Sequence, residues 1–270
     1  MWRINFLVVL LLCVFMAKIY GQDTIVTQNP KLDFLNHIDD RKWTLKVPIW
    51  VPGFRGNFSY GGLTLLPASE DYTVVDRLNG ELGVTFYFIG DITYAPGNWM
   101  FNVDGFHTTL ASNLGFENVD KVKFLVDLEG TILRGLAGYK VLESSNKDKF
   151  FKFQLYPYIG VRYINLDIYS TNTDFLDIRP DWLEPLVGFM APVQYKRWVF
   201  SVKADLGGFG INEHLSWYVN GHASYRFGKL FSMGLGYSVM DFKYSQDIEY
   251  KFLDLGIRLG GPVLSVEFNL

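Results

Sequence analysis

From Trp43 to the C-terminus the dominant period of the sequence is two. In residues 214–227, Leu215, Trp217, Val219, Gly221, Ala223, Tyr225 and Phe227 share one face; His214, Ser216, Tyr218, Asn220, His222, Ser224 and Arg226 share the other. Alternation of that length defines a strand with one apolar and one polar side. The split recurs. Trp198, Phe200, Val202, Ala204 and Leu206 oppose Ser201, Lys203 and Asp205. Phe151, Phe153, Leu155, Ile159, Val161 and Tyr163 oppose Lys152, Gln154, Tyr158 and Arg162. Val122, Phe124, Val126 and Leu128 oppose Lys123, Asp127 and Glu129, and Leu253, Leu255, Ile257 and Leu259 oppose Asp254, Gly256 and Arg258. No amphipathic helix of any length interrupts this region.

Turn chemistry divides it into about ten strands, at 41–52, 82–94, 98–111, 121–142, 150–168, 182–195, 198–209, 214–227, 230–245 and 251–269. The connections at 95–98, 144–149, 196–197 and 228–229 are tight and polar; those at 53–81, 112–120, 169–181, 210–213 and 246–250 are mostly longer. Tight turns on one side and long loops on the other are the asymmetry of an outer-membrane barrel, whose short turns face the periplasm. The expected fold is all-β: an antiparallel up-and-down transmembrane β-barrel of about ten strands, with eight and twelve as alternatives. A further strand within 54–66 would push the count toward twelve, and Ser69 or Asp71 is placed to cap a short helix in the long extracellular loop 53–81.

The first 21 residues read as a secretory signal peptide: Arg3 supplies the positive charge, Phe6–Met16 the apolar core, and Gly21 a small residue at the expected cut before Gln22. That core is too short to span a bilayer. The one cysteine, Cys13, lies inside the segment, so the processed chain offers no disulfide framework, thiol nucleophile or cysteine-based zinc site. Residues 22–40 form a periplasmic lead-in, and 41–270 the barrel. Removing Arg3 and Lys18 leaves 23 basic against 28 acidic residues, which gives no footprint for nucleic acid. With 49% hydrophobic and 20% charged residues, disorder is excluded for most of the chain. No apolar run after residue 21 is long enough for a transmembrane helix, so a membrane-embedded form must be a closed barrel.

Alternation alone leaves open which face points outward; a soluble periplasmic ligand-binding barrel alternates equally well with its apolar face inside. Three features favour lipid. An export signal is compatible with delivery to the outer membrane of a Gram-negative cell. Aromatic residues on the apolar face gather beside the short turns: Trp43, Tyr94, Trp99, Phe151, Tyr195, Trp198, Phe227, Phe231 and Phe268, the composition of an aromatic girdle. The chain ends Leu264, Val266, Phe268, Leu270 on one face, the alternating terminus through which the barrel-assembly machinery is expected to act. The expected partners are thus outer-membrane lipid and that machinery, with the barrel itself a monomer.

Trp182-Leu183-Glu184-Pro185-Leu186-Val187-Gly188, Trp198, Asp205-Leu206-Gly207-Gly208-Phe209-Gly210, Leu215-Ser216-Trp217, Tyr225-Arg226-Phe227 and Gly236-Tyr237 resemble a group of small bacterial outer-membrane β-barrel proteins. Looser similarity reaches back through Gly97-Asn98-Trp99 to Trp50 and Trp43, so it spans most of the mature chain. Glu184 stands where the group often has Asp, and Ser224 where it often has Gly. The resemblance implies fold and location and no activity.

The inward face is expected to carry Lys46, Asp104, Lys123, Asp127, Glu129, Arg162, Lys203, Asp205, Arg226, Asp254 and Arg258. In so narrow an interior these charges must neutralise one another, leaving either a satisfied, stiffening network or a narrow porin-like conduit for passive permeation. His107, Asp205 and His214 fall near the predicted outer rim and are the candidates for an acid–base site of an outer-membrane hydrolase or acyltransferase. His214 and His222 share a face but stand eight residues apart, too far to share a metal, and no cofactor is expected. No Gly-x-Ser-x-Gly elbow occurs, and Asp205–Gly210 lacks the Lys-Ser/Thr and helix of a phosphate loop; its glycines point to a bulge or close strand approach.

Overall fold

The computed structural model describes residues 42–50, 52–60, 63–67, 85–116, 119–145, 151–170, 177–210, 214–228, 230–248 and 251–270. The signal segment, the lead-in and the helix expected at 69–82 lie outside these residues. The elements are β1 (Trp43–Trp50), β2 (Gly53–Tyr60), β3 (Leu63–Pro67), β4 (Thr85–Tyr94), β5 (Trp99–Phe116), β6 (Val119–Tyr139), β7 (Leu142–Ser145), β8 (Phe151–Ser170), β9 (Asp177–Ile178), β10 (Asp181–Tyr195), β11 (Trp198–Gly207), β12 (Leu215–Arg226), β13 (Phe231–Ile248) and β14 (Lys251–Asn269).

Ten of these strands, β1, β4, β5, β6, β8 and β10 to β14, pair antiparallel with their neighbours and close through β1 against β14, from Thr44↔Asn269 to Trp50↔Val263. Closure leaves no open edge, which is how a sheet this long avoids unpaired backbone groups. The strand expected within 54–66 exists as the β2–β3 hairpin. It does not raise the number of strands that close the barrel. β2 prolongs β1 along the far half of β14, from Gly53↔Gly260 to Tyr60↔Leu253, and β3 joins β2 to the end of β5. The connection expected at 112–120 is mostly strand, because β5 runs to Phe116 and β6 begins at Val119. Between β6 and β8 the chain folds back as β7, pairing Leu142 with Leu155. The 95–98 and 196–197 turns are as tight as expected; Gly97 (φ 63°) and Lys196 (φ 55°) take the left-handed conformation there.

At the short-turn end the outer face is apolar: Phe200, Phe227 and Leu235 are exposed (46%, 57% and 67%). Aromatics ring the rim. Trp43 stacks on Tyr94 at 4.3 Å, Trp99 meets Tyr139 at 5.1 Å, Trp198 meets Tyr225 at 5.1 Å, and Phe231 lies between Phe227 and Phe268.

Toward the opposite end the polarity inverts while the parity of each strand is kept. On β13 the outward residues pass from Leu235 and Tyr237 to Asp241 and Lys243, and the inward ones from Ser232 and Ser238 to Met240, Phe242 and Tyr244. On β8, Ile164, Leu166 and Ile168 are buried while Asn165 and Asp167 take the outward positions. On β14, Leu253, Leu255, Ile257 and Leu259 are buried, and Arg258 is exposed beside Asp241 at 2.6 Å. The expectation that these four β14 residues face outward, with Asp254 and Arg258 inside, is therefore corrected. The physical reason is solvent. Above the apolar band the exterior is polar, so the apolar side chains turn inward and form a core as in a water-soluble barrel. Trp182 and Ile178 complete that core.

Candidate functional site

Below the apolar core the barrel interior is crossed by a charged row. Asp104 on β5, Arg134 on β6, Arg162 on β8 and Glu184 on β10 are successive ladder partners across four strands. All four are buried. Arg134 Nε donates to Asp104 at 2.7 Å, and Arg162 Nη1 donates to Glu184 at 2.8 Å. Two arginines directly opposite would repel. Asp205, reaching in from β11, binds both: its Oδ2 lies 3.3 Å from Arg134 and its Oδ1 accepts from Arg162. Lys203, two residues earlier on β11, donates to Asp104 at 2.5 Å and to Asn102 at 2.8 Å, and Asn102 donates in turn to Asp91 at 2.6 Å. Ser216 on β12 accepts from Arg162 at 2.5 Å and donates to Glu184. The Arg134 guanidinium lies 3.7 Å over the Tyr218 ring. Three carboxylates (Asp104, Glu184 and Asp205) thus face three cations (Arg134, Arg162 and Lys203), and pairing of opposite charges is what lets buried ions be tolerated; Arg162 Nε and Glu184 Oε2 have no hydrogen-bond partner among the described residues.

Glycines make these reaches possible. Tyr158 on β8 passes over Gly188 on β10, and its hydroxyl donates to Asp205 at 3.1 Å on the strand beyond. His222 on β12 crosses Gly234 and Gly236 on β13 to meet Ser265 on β14 at 2.8 Å, with Glu267 at 3.6 Å. Gly207 and Gly208 on the strand between let Glu184 approach Ser216; a Cβ on Gly207 would stand 2.8 Å from Ser216 Oγ and 2.9 Å from Glu184 Oε1. Gly207 and Gly208 of Asp205–Gly210 thus serve close strand approach, as expected, and Gly208 (φ 78°) turns the chain just past the end of β11.

Two cavities adjoin the row, one at the short-turn mouth and one alongside the row itself. One of about 550 Å³ forms the mouth and is lined by Lys42, Lys140, Lys152 and Arg226 with Glu143. Lys140 donates to Glu143 at 2.5 Å, which holds that carboxyl below its ordinary range. The second, of about 320 Å³, lies deeper, with Asn102, Asp104 and Lys203 on one side and Trp50, Phe106 and Met240 on the other.

Of the expected inward charges, Lys46, Asp104, Arg162, Lys203, Asp205 and Arg226 line the interior; Lys46 lies 3.7 Å from Glu267. Glu129 shares the outer face with Thr131, opposite buried Ile132, and so joins Asp254 and Arg258 as a correction. The side chains of Lys123 and Asp127 lie outside the described residues. Sequence reasoning missed Arg134, Glu184, Asn102, Tyr158 and Ser216 as partners. The candidates His107, Asp205 and His214 do not converge. His107 turns to the outer face, with Thr131 at 2.7 Å and Glu129 at 3.1 Å. Asp205 is held by the two arginines, and His214 stacks on Tyr244 at 4.6 Å beside Trp182. Among the described residues no three His, Cys, Asp or Glu side chains are grouped to hold a metal ion.

The chain matches no family model and no curated protein. Solved structures to which it is similar include the outer-membrane protease OmpT from Escherichia coli (8% identity, 86% of this chain and 97% of that one, TM-score 0.43). The translocator domain of the autotransporter NalP from Neisseria meningitidis matches at 11% identity over 89% and 94% of the two chains (TM-score 0.40). The outer membrane protein OprG from Pseudomonas aeruginosa matches at 13% over 83% and 96% (TM-score 0.33).

Proposed function

We propose that this chain is an outer-membrane β-barrel with a closed interior, serving a structural role and holding its loops above the membrane rather than conducting solute. The exposed apolar band with its aromatic rim supports the membrane setting, because such a surface is costly in water and matches the outer wall of a lipid-embedded barrel. In this setting residues 1–21 are removed on export, β14 engages the assembly machinery, and the barrel is a monomer.

The observation that carries the closed reading is the double block along the axis. The balanced row of Asp104, Arg134, Arg162 and Glu184 crosses the interior at one level. The buried core of Ile164, Trp182, Phe242 and Ile257 fills it at the next. A conduit needs a continuous polar path, and dry apolar packing interrupts one. The strands that carry this core are long: β8 has 20 residues and β14 has 19, against about 9–11 needed to cross a bilayer. Their excess raises the long-loop end above the lipid.

The test is fractionation followed by planar-bilayer recording. The protein is expected in the outer membrane, with heat-dependent gel migration and no conductance steps. Recovery as a soluble periplasmic protein would overturn the membrane reading, and reproducible steps in the parent protein would overturn the closed one.

A further inference from the structure

We infer that the deeper cavity is a binding site for a small zwitterion, a free amino acid with an apolar side chain. Two ladder partners that do not pair carry this reading. Lys46 on β1 and Asp91 on β4 stand opposite each other, and both line the cavity of about 320 Å³. Opposite charges at facing positions ordinarily join. Here Lys46 leans to its other ladder partner, Glu267 on β14, and stops 3.7 Å from it, beyond hydrogen-bond range. Its side chain is nonetheless only 16% exposed. Asp91 accepts from Asn102 at 2.6 Å and from Thr93 at 3.5 Å, and no cation among the described residues forms an ion pair with it. Lys203 is engaged by Asp104 and Asn102 instead. Among the described residues the cavity wall thus presents, side by side, an ammonium without a hydrogen-bond acceptor and a carboxylate without a cation.

An α-amino acid carries the complementary pair on one carbon atom. Its ammonium answers Asp91 and its carboxylate answers Lys46. A simple amine would sit beside the Lys46 charge, and a simple carboxylate beside that of Asp91, so only the zwitterion satisfies both. Charge-assisted bonds of this kind are strong in a recessed, low-dielectric site. The far wall suits an apolar body: Trp50, Phe106 and Met240 line it and pack on the apolar core. Trp50 and Phe106 meet edge to face at 4.7 Å, and the Trp50 indole nitrogen already donates to the Gly261 carbonyl, so that ring has its apolar surface left to offer. A cavity of this size, apolar on one side with a few placed polar groups on the other, has the make-up of a small-ligand pocket. Thr44, Pro192 and Val199 line the mouth, and the next inward residues on the same strands, Lys46, Met190 and Ser201, line this cavity, so a ligand enters from the short-turn end. Because the apolar core stops the cavity at its inner end, such a ligand is bound and not conducted, and the site is independent of the role the loops serve.

The experiment uses the full processed chain in phosphatidylcholine nanodiscs, titrated calorimetrically at neutral pH against empty nanodiscs. The ligands are L-phenylalanine, 3-phenylpropanoate, which lacks the ammonium, and 2-phenylethylamine, which lacks the carboxylate. A hydrogen bond to a charged group is worth about tenfold in affinity. L-Phenylalanine is therefore expected to bind saturably at one site, about tenfold more tightly than either analogue. Asp91→Asn is expected to erase the preference over 3-phenylpropanoate, and Lys46→Gln the preference over 2-phenylethylamine, each in protein that keeps its heat-dependent gel migration. Met190→Trp, or Ser201→Phe if the first fails that test of folding, is expected to abolish binding by filling the cavity. Absence of saturable L-phenylalanine binding, an analogue that binds as tightly as the amino acid, or undiminished binding by any of these folded variants would each overturn the inference.

Discussion

Arg134 and Arg162 stand directly opposite each other on β6 and β8, both buried, and Asp205 from two strands away binds the pair. Repulsion between the arginines makes Asp205 the keystone of the row. Replacing Asp205 by Ala leaves two buried guanidinium groups with only Asp104, which also holds Lys203, and Glu184, which also accepts from Ser216. Removing one partner of a buried pair costs about 3–5 kcal/mol. Asp205→Ala is therefore expected to lower unfolding stability in urea by that order. A loss below about 1 kcal/mol would show that the row relaxes into a second arrangement.

Gly188 is the counterpart of that keystone on the neighbouring strand. A Cβ there would stand 2.7 Å from Asp205 Cβ and 2.8 Å from the Tyr158 ring, and closer still to the Ala204 carbonyl oxygen. Two of those three atoms belong to a backbone or its first side-chain carbon and have little room to yield. Gly188→Ala is expected to cost about 1–3 kcal/mol by overpacking and to shift the heat-dependent gel migration to lower temperature. Tyr158→Phe, which keeps the ring and loses the bond to Asp205, is expected to cost about 1 kcal/mol.

The strands themselves were legible because a period of two survives wherever the two sides of the wall meet different surroundings. The ten expected spans coincide with the ten strands that close the barrel. Side-chain direction was legible only in the apolar band. At Asp254 and Arg258 the alternation was read correctly and its meaning reversed, because the surroundings invert along β14 and a period carries no sign. Arg134 and Glu184 were hidden for another reason. Arg134 shares its inward face with Ile132 and Leu136, and Glu184 shares its own with Trp182 and Leu186, so neither β6 nor β10 shows a polar side there. The glycines of Asp205–Gly210 announced a close approach; which side chains meet across them depends on strand order and is absent from local sequence.

The two blocks along the axis predict how conductance responds to mutation. Arg162→Ala with Glu184→Ala opens the charged row but leaves the apolar core in place, so silent bilayers are expected. Phe242→Ala with Trp182→Ala thins the core and leaves the row intact, and is also expected to stay silent. Combining all four is expected to give steps. Conductance from either pair alone, in protein that still shows heat-dependent migration, would mean that the blocks are not independent.

On the proposed membrane reading, the inversion of polarity on β13 sets the level at which the outer wall leaves lipid. Leu235 and Tyr237 are exposed on the outer face, and two and four residues beyond Tyr237 the wall carries Val239 and Asp241, then Lys243. At about 3.3 Å per residue, Leu235 and Lys243 are separated by roughly 26 Å along the strand, enough to place one in hydrocarbon and the other in water. The processed chain has no cysteine if Cys13 leaves with the signal segment, so single cysteines can be read without background. On intact cells, a membrane-impermeant maleimide is expected to label Lys243→Cys and to leave Leu235→Cys unlabelled. Both positions should react fully once the protein is unfolded. Arg258, which pairs with Asp241 at 2.6 Å and lies 5.6 Å over the Trp217 ring, occupies the boundary between them. An Arg258→Cys variant is therefore expected to label more slowly than Lys243→Cys. Equal labelling at 235 and 243 would place the whole β13 wall in one medium and remove the physical reason given for the apolar core.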